Sequence, residues 1–312
     1  MQKNTSILVL GAGELGMAVL RGLARRAAQF PGTTLTVLLR PSTITSQNPA
    51  KQRDIAELRS LGVELLPGNL VTDSAADLST RFRGFHTVIG CTGFVAGRSI
   101  QLKLARAALD AGVIRYIPWQ FGVDYDVIGR GSAQDLFDEQ LEVRDLLRSQ
   151  DRMEWVIVST GMFTSFLFEP SFGVVDLEQN TVHALGNWDT AVTVTTPEDI
   201  GVLTAEIVFA EPRIVNRVVY TAGDTVTYAR LADVVDSVLG WKVRREEWSV
   251  LALKDELAKD PSNPIKKYRV VFAEGRGVSW EIGKTFNAQR GIQVSDLERW
   301  AQENLKSPRQ PG

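Results

Sequence analysis

One cysteine, Cys91, and two histidines, His86 and His183, are all that 312 residues offer of the side chains that most often form disulfides or bind zinc. A lone thiol closes no internal disulfide and suits a reducing compartment. Three such residues do not make a plausible zinc cluster. Charge of one sign is also lacking: 35 Lys and Arg stand against 37 Asp and Glu, a formal net charge of -2. That balance gives no reason to expect nucleic acid or an anionic membrane as a partner. No apolar run approaches the roughly 18 residues needed to span a bilayer. Residues 1–6 are polar and lead directly into an apolar stretch, so no secretory signal is expected. Repeats and low-complexity segments are absent. What remains, with 44% hydrophobic and 23% charged residues, is the composition expected of a soluble, cytoplasmic globular protein.

What is present begins at Ile7-Leu8-Val9-Leu10-Gly11-Ala12-Gly13-Glu14-Leu15-Gly16. An apolar strand runs into G-x-G-x-x-G and then into a helix with Leu15, Val19, Leu23 and Ala27 on one face. In that setting the glycines read as a dinucleotide fingerprint. Gly11 allows the tight turn, Gly13 lets a pyrophosphate approach the backbone, and Gly16 lets helix and strand pack closely. The N–H groups opening the helix, at Glu14 and Leu15, face the phosphates. The next apolar run, Leu35–Leu39, ends at Arg40, where an NAD-selective site places a carboxylate for the ribose 2′-OH. A guanidinium grips a 2′-phosphate instead, so NADPH is the expected cofactor. Lys51 and Arg53 could add positive charge, or could simply solvate a helix start.

Strands are predicted at 6–10, 35–39, 63–66, 87–91, 114–117 and 154–159, and helices at 14–28, 50–61, 74–82, 99–111 and 134–149. Continuously apolar strands such as Thr87–Cys91 indicate a sheet covered on both faces. The alternation predicts an α/β fold, a Rossmann-type doubly wound parallel sheet, with a smaller mixed α/β substrate lobe at the C-terminal end. Residues 1–159 are assigned to the cofactor domain, with 188–215 returning to it; 160–187 and 216–306 form the lobe, and 307–312 are expected to be disordered. In the second half, Thr196-Pro197-Glu198-Asp199 opens a helix, a strand lies near 217–221 and a helix near 228–239. Ser295-Asp296-Leu297-Glu298 reads as a capping box before a final helix. Ligands of such sheets sit at the carboxyl ends of strands. That rule points to Thr92, Gly93 and Phe94 beside the cofactor, and to segments 118–126 and 159–168.

The run Arg115-Tyr116-Ile117-Pro118-Trp119-Gln120-Phe121-Gly122-Val123-Asp124 resembles the "kRFxPSEFGxD" segment of the isoflavone reductase-like, NmrA-like branch of atypical short-chain dehydrogenases. Gln101, Val143-Arg144, Ser159-Thr160-Gly161-Met162-Phe163 and Pro197-Glu198-Asp199-Ile200-Gly201 fall in the same order. Members are NADPH-dependent reductases of plant and fungal aromatic metabolites, with some regulators that bind the cofactor without turnover. The resemblance implies that Gly11, Gly13, Gly16, Arg40 and Arg144 hold NADPH, with Gln101 and Phe163 nearby. It also has departures. The reductases carry a proton-handling lysine where this chain has Gln140, and Ser-Glu where it has Trp119-Gln120. The Tyr-x-x-x-Lys pair of ordinary short-chain dehydrogenases is missing too.

An amide has no usable acid–base chemistry near neutral pH, so Gln140 can only orient a water or a substrate oxygen. Tyr125, just beyond the fifth strand, is the candidate proton donor. Otherwise the substrate is an iminium, quinone methide or similar electrophile that needs little acid, or nothing is turned over. Trp119, Phe121, Tyr125, Met162 and Phe166 are the candidate substrate contacts. Together with Phe94, Phe163, Phe168 and Trp188 they predict an aromatic cluster suited to a flat small molecule. His86 reads as a strand-edge residue, His183 as a lobe residue, and Asp138 and Glu139 as a solvated helix face. The expected protein is an NADPH-dependent reductase of an aromatic or polycyclic metabolite, acting as a monomer or homodimer; the alternative is a non-catalytic NADP(H)-binding sensor.

Overall fold

The computed structural model describes residues 5–94 and 97–305. The alternation read from the sequence appears as β1 (Ser6–Leu10), α1 (Glu14–Ala27), β2 (Thr34–Leu39), α2 (Pro41–Ile44), α3 (Pro49–Ser60), β3 (Glu64–Pro67), α4 (Ala75–Phe82) and β4 (Thr87–Gly90). It continues through α5 (Ile100–Asp110), β5 (Arg115–Ile117), α6 (Tyr125–Ile128), α7 (Leu136–Arg148) and β6 (Glu154–Ser159). The rest of the chain forms β7 (Met162–Phe163), β8 (Val175–Asp176), β9 (Thr181–Leu185), β10 (Ala191–Thr195), α8 (Pro197–Val208), β11 (Arg217–Tyr220) and β12 (Asp224–Thr227). It ends with α9 (Tyr228–Leu239), β13 (Arg244–Trp248), α10 (Val250–Lys259), α11 (Pro264–Glu274), α12 (Phe286–Gln289) and α13 (Leu297–Asn304).

Two compact units result. The first takes Met1–Phe121, Glu139–Val158 and Pro197–Val219; the second takes Gly122–Asp138, Ser159–Thr196 and Tyr220–Gly312. Relative to the sequence assignment, residues 122–138 and 188–196 fall in the second unit, and 217–219 close the first unit's sheet. The tail at 307–312 lies outside the described residues. Among the described residues, no helix is long and apolar enough to cross a membrane.

The first unit is built on a sheet of order β11-β6-β5-β4-β1-β2-β3. The pairs β1–β2, β2–β3, β1–β4, β4–β5 and β5–β6 are all parallel. Strand order reverses at β1, between β2 and β4, which sets the switch point beside the glycine turn. Ile7, Leu8, Val9 and Leu10 have no exposure, because helices cover both faces. Leu8, Leu10, Val88, Leu104, Tyr116 and Ile157 belong to one core cluster. On α1, Leu15, Val19 and Leu23 are buried as the helical period requires. The helix also meets α8 at backbone distance: a Cβ on Gly22 would lie 2.3 Å from the Gly201 carbonyl oxygen. At the amino end of β5, the Arg115 side chain is buried and its guanidinium donates to the carbonyls of Val208, Ile207 and Ile214. It thereby satisfies carbonyls left over at the end of α8. Burial, with Arg213 nearby, pushes its pKa down to about 10.

The second unit holds two small sheets, of order β12-β10-β7 and β13-β9-β8. β10 runs antiparallel to β12, β13 parallel to β9, and β8 antiparallel to β9. Four residues of β13, Arg244 to Glu247, are exposed. The final helix departs from the expected capping box. Its cap is Asp296, one residue later than expected, with the carboxylate accepting from the Arg299 N–H at 2.8 Å.

Candidate functional site

At the carboxyl ends of β1 and β2 the first unit carries a cavity of about 310 Å³. Gly11, Gly13, Arg40, Lys51 and Thr92 line it together, as the sequence reading grouped them. Thr43, Asn69 and Val71 line it as well and were not anticipated. Asn69 and Val71 follow β3, which the strand order places beside β2. That adjacency has no local signal in the sequence.

The three glycines have separate reasons to be glycine. Gly11 has φ +96°, and a Cβ there would sit 2.4 Å from Thr92 Oγ1. A Cβ on Gly16 would sit 2.2 Å from the Gly11 carbonyl oxygen, so helix and turn are in backbone contact. Around Gly13 nothing lies within 4 Å, which leaves the approach open to a ligand. Gly13 is also the N-cap of α1 and offers no side-chain acceptor, so no cap occupies the N–H groups of its first turn. The Leu15 side chain is core, 5% exposed; only its backbone can serve a phosphate.

Arg40 and Lys51 are exposed at the far side of the cavity. Lys51 Nζ pairs with Asp54 at 3.0 Å, an exposed contact of small worth that a phosphate can outcompete. An open backbone turn and two exposed cations lining one cavity fit a dinucleotide carrying an extra phosphate.

Thr92 Oγ1 donates to the Leu10 carbonyl at 2.9 Å, and Gln101 Nε2 donates to the Thr92 carbonyl at 2.7 Å. Gln101 is 2% exposed and positions that loop rather than lining the cavity. Trp119 backs Gly93, where a Cβ would lie 2.7 Å from the indole, and meets Phe94 edge-on at 4.6 Å between centroids.

Below this wall three long polar side chains are fully buried: Gln120, Gln140 and Arg144. Gln120 Nε2 donates to the Gln140 backbone carbonyl at 2.8 Å, and Gln120 Oε1 accepts from Arg144 Nε at 2.8 Å. Arg144, which the resemblance reads as holding NADPH, is fully buried and does not line the cavity; its Nε is bound to Gln120 Oε1. The Gln140 side-chain amide has no hydrogen-bond partner at Nε2 or Oε1 among the described residues. Such an orphan is costly and marks a place where a water or ligand atom belongs.

Several other expectations are corrected. Phe121, at 5% exposure, and Met162, at 6%, are packed residues that present little surface to a substrate. Tyr125 is 2% exposed, stacks edge-on with Phe137 at 5.0 Å, and has its hydroxyl against Gly122. The expected aromatic cluster divides. In the second unit Phe166 meets Phe172 at 4.6 Å and Tyr268 at 6.1 Å, but Phe168 pairs with Trp300 and Trp188 lies under Arg245. His183 stacks on Trp248 at 4.1 Å and holds the Gly173 carbonyl through Nδ1, which is a packing role. Asp138 and Glu139 are half-buried, and each has a fixed role besides facing solvent: Asp138 accepts from Gly131 N–H, and Glu139 binds the start of α5. Cys91 is buried, and burial pushes its thiol far up from the usual range. The native protein is accordingly expected to resist iodoacetamide at pH 8, with labelling appearing only in denaturant, as read by mass spectrometry.

A doubly wound parallel sheet with an open glycine turn, and two exposed cations lining the same cavity, is the architecture of a dinucleotide-binding fold. The chain belongs to the NmrA-like family, whose model matches residues 3–297. It is 48% identical over 301 residues to an NmrA-like family domain-containing oxidoreductase of Gibberella moniliformis, covering 96% of this chain and 98% of that one. It is 25% identical over 305 residues to a phenylcoumaran benzylic ether reductase of Populus trichocarpa, covering 93% of each. Among solved structures, the leucoanthocyanidin reductase–NADPH complex of Vitis vinifera matches with TM-score 0.78 at 18% identity, covering 96% of this chain and 98% of that one.

Proposed function

We propose that this NmrA-like oxidoreductase binds NADPH and reduces an aromatic or polycyclic metabolite at an electrophile that needs little general-acid assistance, such as an iminium, quinone or quinone methide. The grouping of Arg40 and Lys51 with the open Gly11–Gly13 turn carries the cofactor assignment. Bound NADPH supplies a hydride. Gly13 and the first turn of α1 receive the pyrophosphate and Arg40 and Lys51 the 2′-phosphate, with Thr92 lining the cavity on the β4 side of the turn. In the first unit Trp119 and Phe94 give an apolar surface that excludes water. In the second, Phe166 is the half-buried ring assigned to substrate, with Tyr125 better placed for packing than for proton donation. The reductases named among the relatives and structural neighbours, one of them in complex with NADPH, support the reading.

Gln140 supports the choice of electrophile. Its orphaned amide offers one acceptor and two donor hydrogens to a water or substrate oxygen but has no proton to give up. Stopped-flow loss of 340 nm absorbance with a panel of quinones, iminium salts and simple ketones tests this. Oxidation of NADPH by the first two classes and not by ketones is expected. Gln140→Lys is expected to admit ketones. Should a buried lysine prevent folding, Gln140→Leu still decides. It removes two unpartnered polar atoms, so stability should hold or rise, while turnover falls. The same amide favours a second reading, an NADP(H)-binding sensor without turnover; tight binding with no oxidation across the panel would favour it.

A further inference from the structure

Helix α7 and the glycine turn after β1 are joined by hydrogen bonds that the proposed chemistry does not use. Glu139 Oε1 accepts from the backbone N–H of Gln101 at 2.8 Å and of Leu102 at 3.2 Å, and Oε2 accepts from Ser99 N–H at 2.8 Å. These are the N–H groups that open α5, and Ser99, its N-cap residue, makes no side-chain cap. Ser99 itself has φ +66°, a left-handed conformation unusual for a residue with a side chain. A carboxylate 40 residues away thus takes the place of a local cap, with the helix dipole favouring its charge.

The chain continues from there. Gln101, held at its N–H by Glu139, donates through Nε2 to the Thr92 carbonyl. Thr92 Oγ1 donates to the Leu10 carbonyl and fills the space that a side chain on Gly11 would need. The next residue on α7 is Gln140, whose own carbonyl is fixed by Gln120.

We propose that Glu139 is a positioning residue for the dinucleotide: through Gln101 it fixes Thr92 against the glycine turn, so that cofactor affinity depends on a carboxylate that never meets the cofactor. The proposal rests on the reading of this cavity as the NADPH site. Glu139→Gln leaves one good acceptor where two oxygens served three N–H groups, and removes the charge. Thr92 then loses its fixed backing, while Arg40 and Lys51 at the other end of the cavity keep theirs.

Two ligands separate positioning from general loosening. NADPH spans the cavity, whereas adenosine 2′,5′-bisphosphate engages the end lined by Arg40 and Lys51. Glu139→Gln is expected to weaken NADPH roughly 5- to 20-fold, around the lower end of what one charged hydrogen bond contributes, because Glu139 acts only through Gln101. Adenosine 2′,5′-bisphosphate should stay within twofold of wild type, both measured by titration calorimetry. Gln101→Met removes the next link while keeping its volume, and is expected to give the same split if Glu139→Gln fails to fold. Equal losses for both ligands, or wild-type affinity for both, would overturn the positioning role. Failure of the wild-type protein to bind NADPH at all would instead overturn the reading of the cavity.

Discussion

Replacing Gly201 by valine is expected to lower stability by about 3 kcal/mol or more, the upper range for overpacking a close contact. A Cβ at this position would lie 2.2 Å from the Ala18 carbonyl oxygen and 2.4 Å from its carbon. Those atoms are backbone in the middle of α1, so no rotamer change relieves the clash. The reciprocal position, Gly22, would meet the Gly201 carbonyl and the Val202 nitrogen in the same way. A mid-helix glycine ordinarily costs about 0.5–1 kcal/mol relative to alanine; here two of them offset that cost by letting the helices touch. For a unit of this size the loss corresponds to a fall of roughly 6–12 °C in Tm by scanning calorimetry. An unchanged Tm would mean that the helices do not cross this closely. Because α1 opens at the glycine turn, NADPH affinity should fall along with stability.

Replacing Arg40 by alanine is expected to weaken NADPH by about 1.5–3 kcal/mol, roughly 10- to 150-fold, the range for hydrogen bonds to a charged group. NADH should change by less than twofold. The guanidinium stands at the end of β2 and lines the cavity with Lys51 and Thr43. It is exposed, and its own fold contacts are backbone ones: its carbonyl accepts from Thr43 and Ile44 N–H. Removing the side chain therefore leaves the turn standing, and the loss reads the 2′-phosphate contact itself. Fluorescence titration of both cofactors gives the ratio. Equal losses for NADPH and NADH would remove Arg40 as the selectivity element.

The sheet was legible because β1, β2, β4 and β6 are buried almost throughout, and such strands announce themselves as apolar runs whatever their neighbours are; β3, at the edge, is only half-buried. The long helices of the first half and α9 were legible by period, whereas α10 and α11 were not read from the sequence. The four-residue helices α2 and α6 were not, since one turn carries no period; α6 is set by the Asp124 carboxylate accepting from Asp126 and Val127 N–H. At the candidate site, Gly11, Gly13 and Arg40 could be read because each lies directly after its strand. Asn69 and Val71 could not, because they reach the cavity only through the β2–β3 pairing. That Arg144 does not line the cavity was illegible for a related reason. Its burial is fixed by Gln120 across the fold, and a sequence match carries a residue's identity without its surroundings. The aromatic rings were counted correctly but not their partners: Phe168 chose Trp300.

The outer strand of the β13-β9-β8 sheet reads Arg244-Arg245-Glu246-Glu247, every one exposed. Its free edge is a row of backbone donors and acceptors that a second molecule could extend. Two arginines followed by two glutamates disfavour an apolar partner strand, which would leave those charges unopposed.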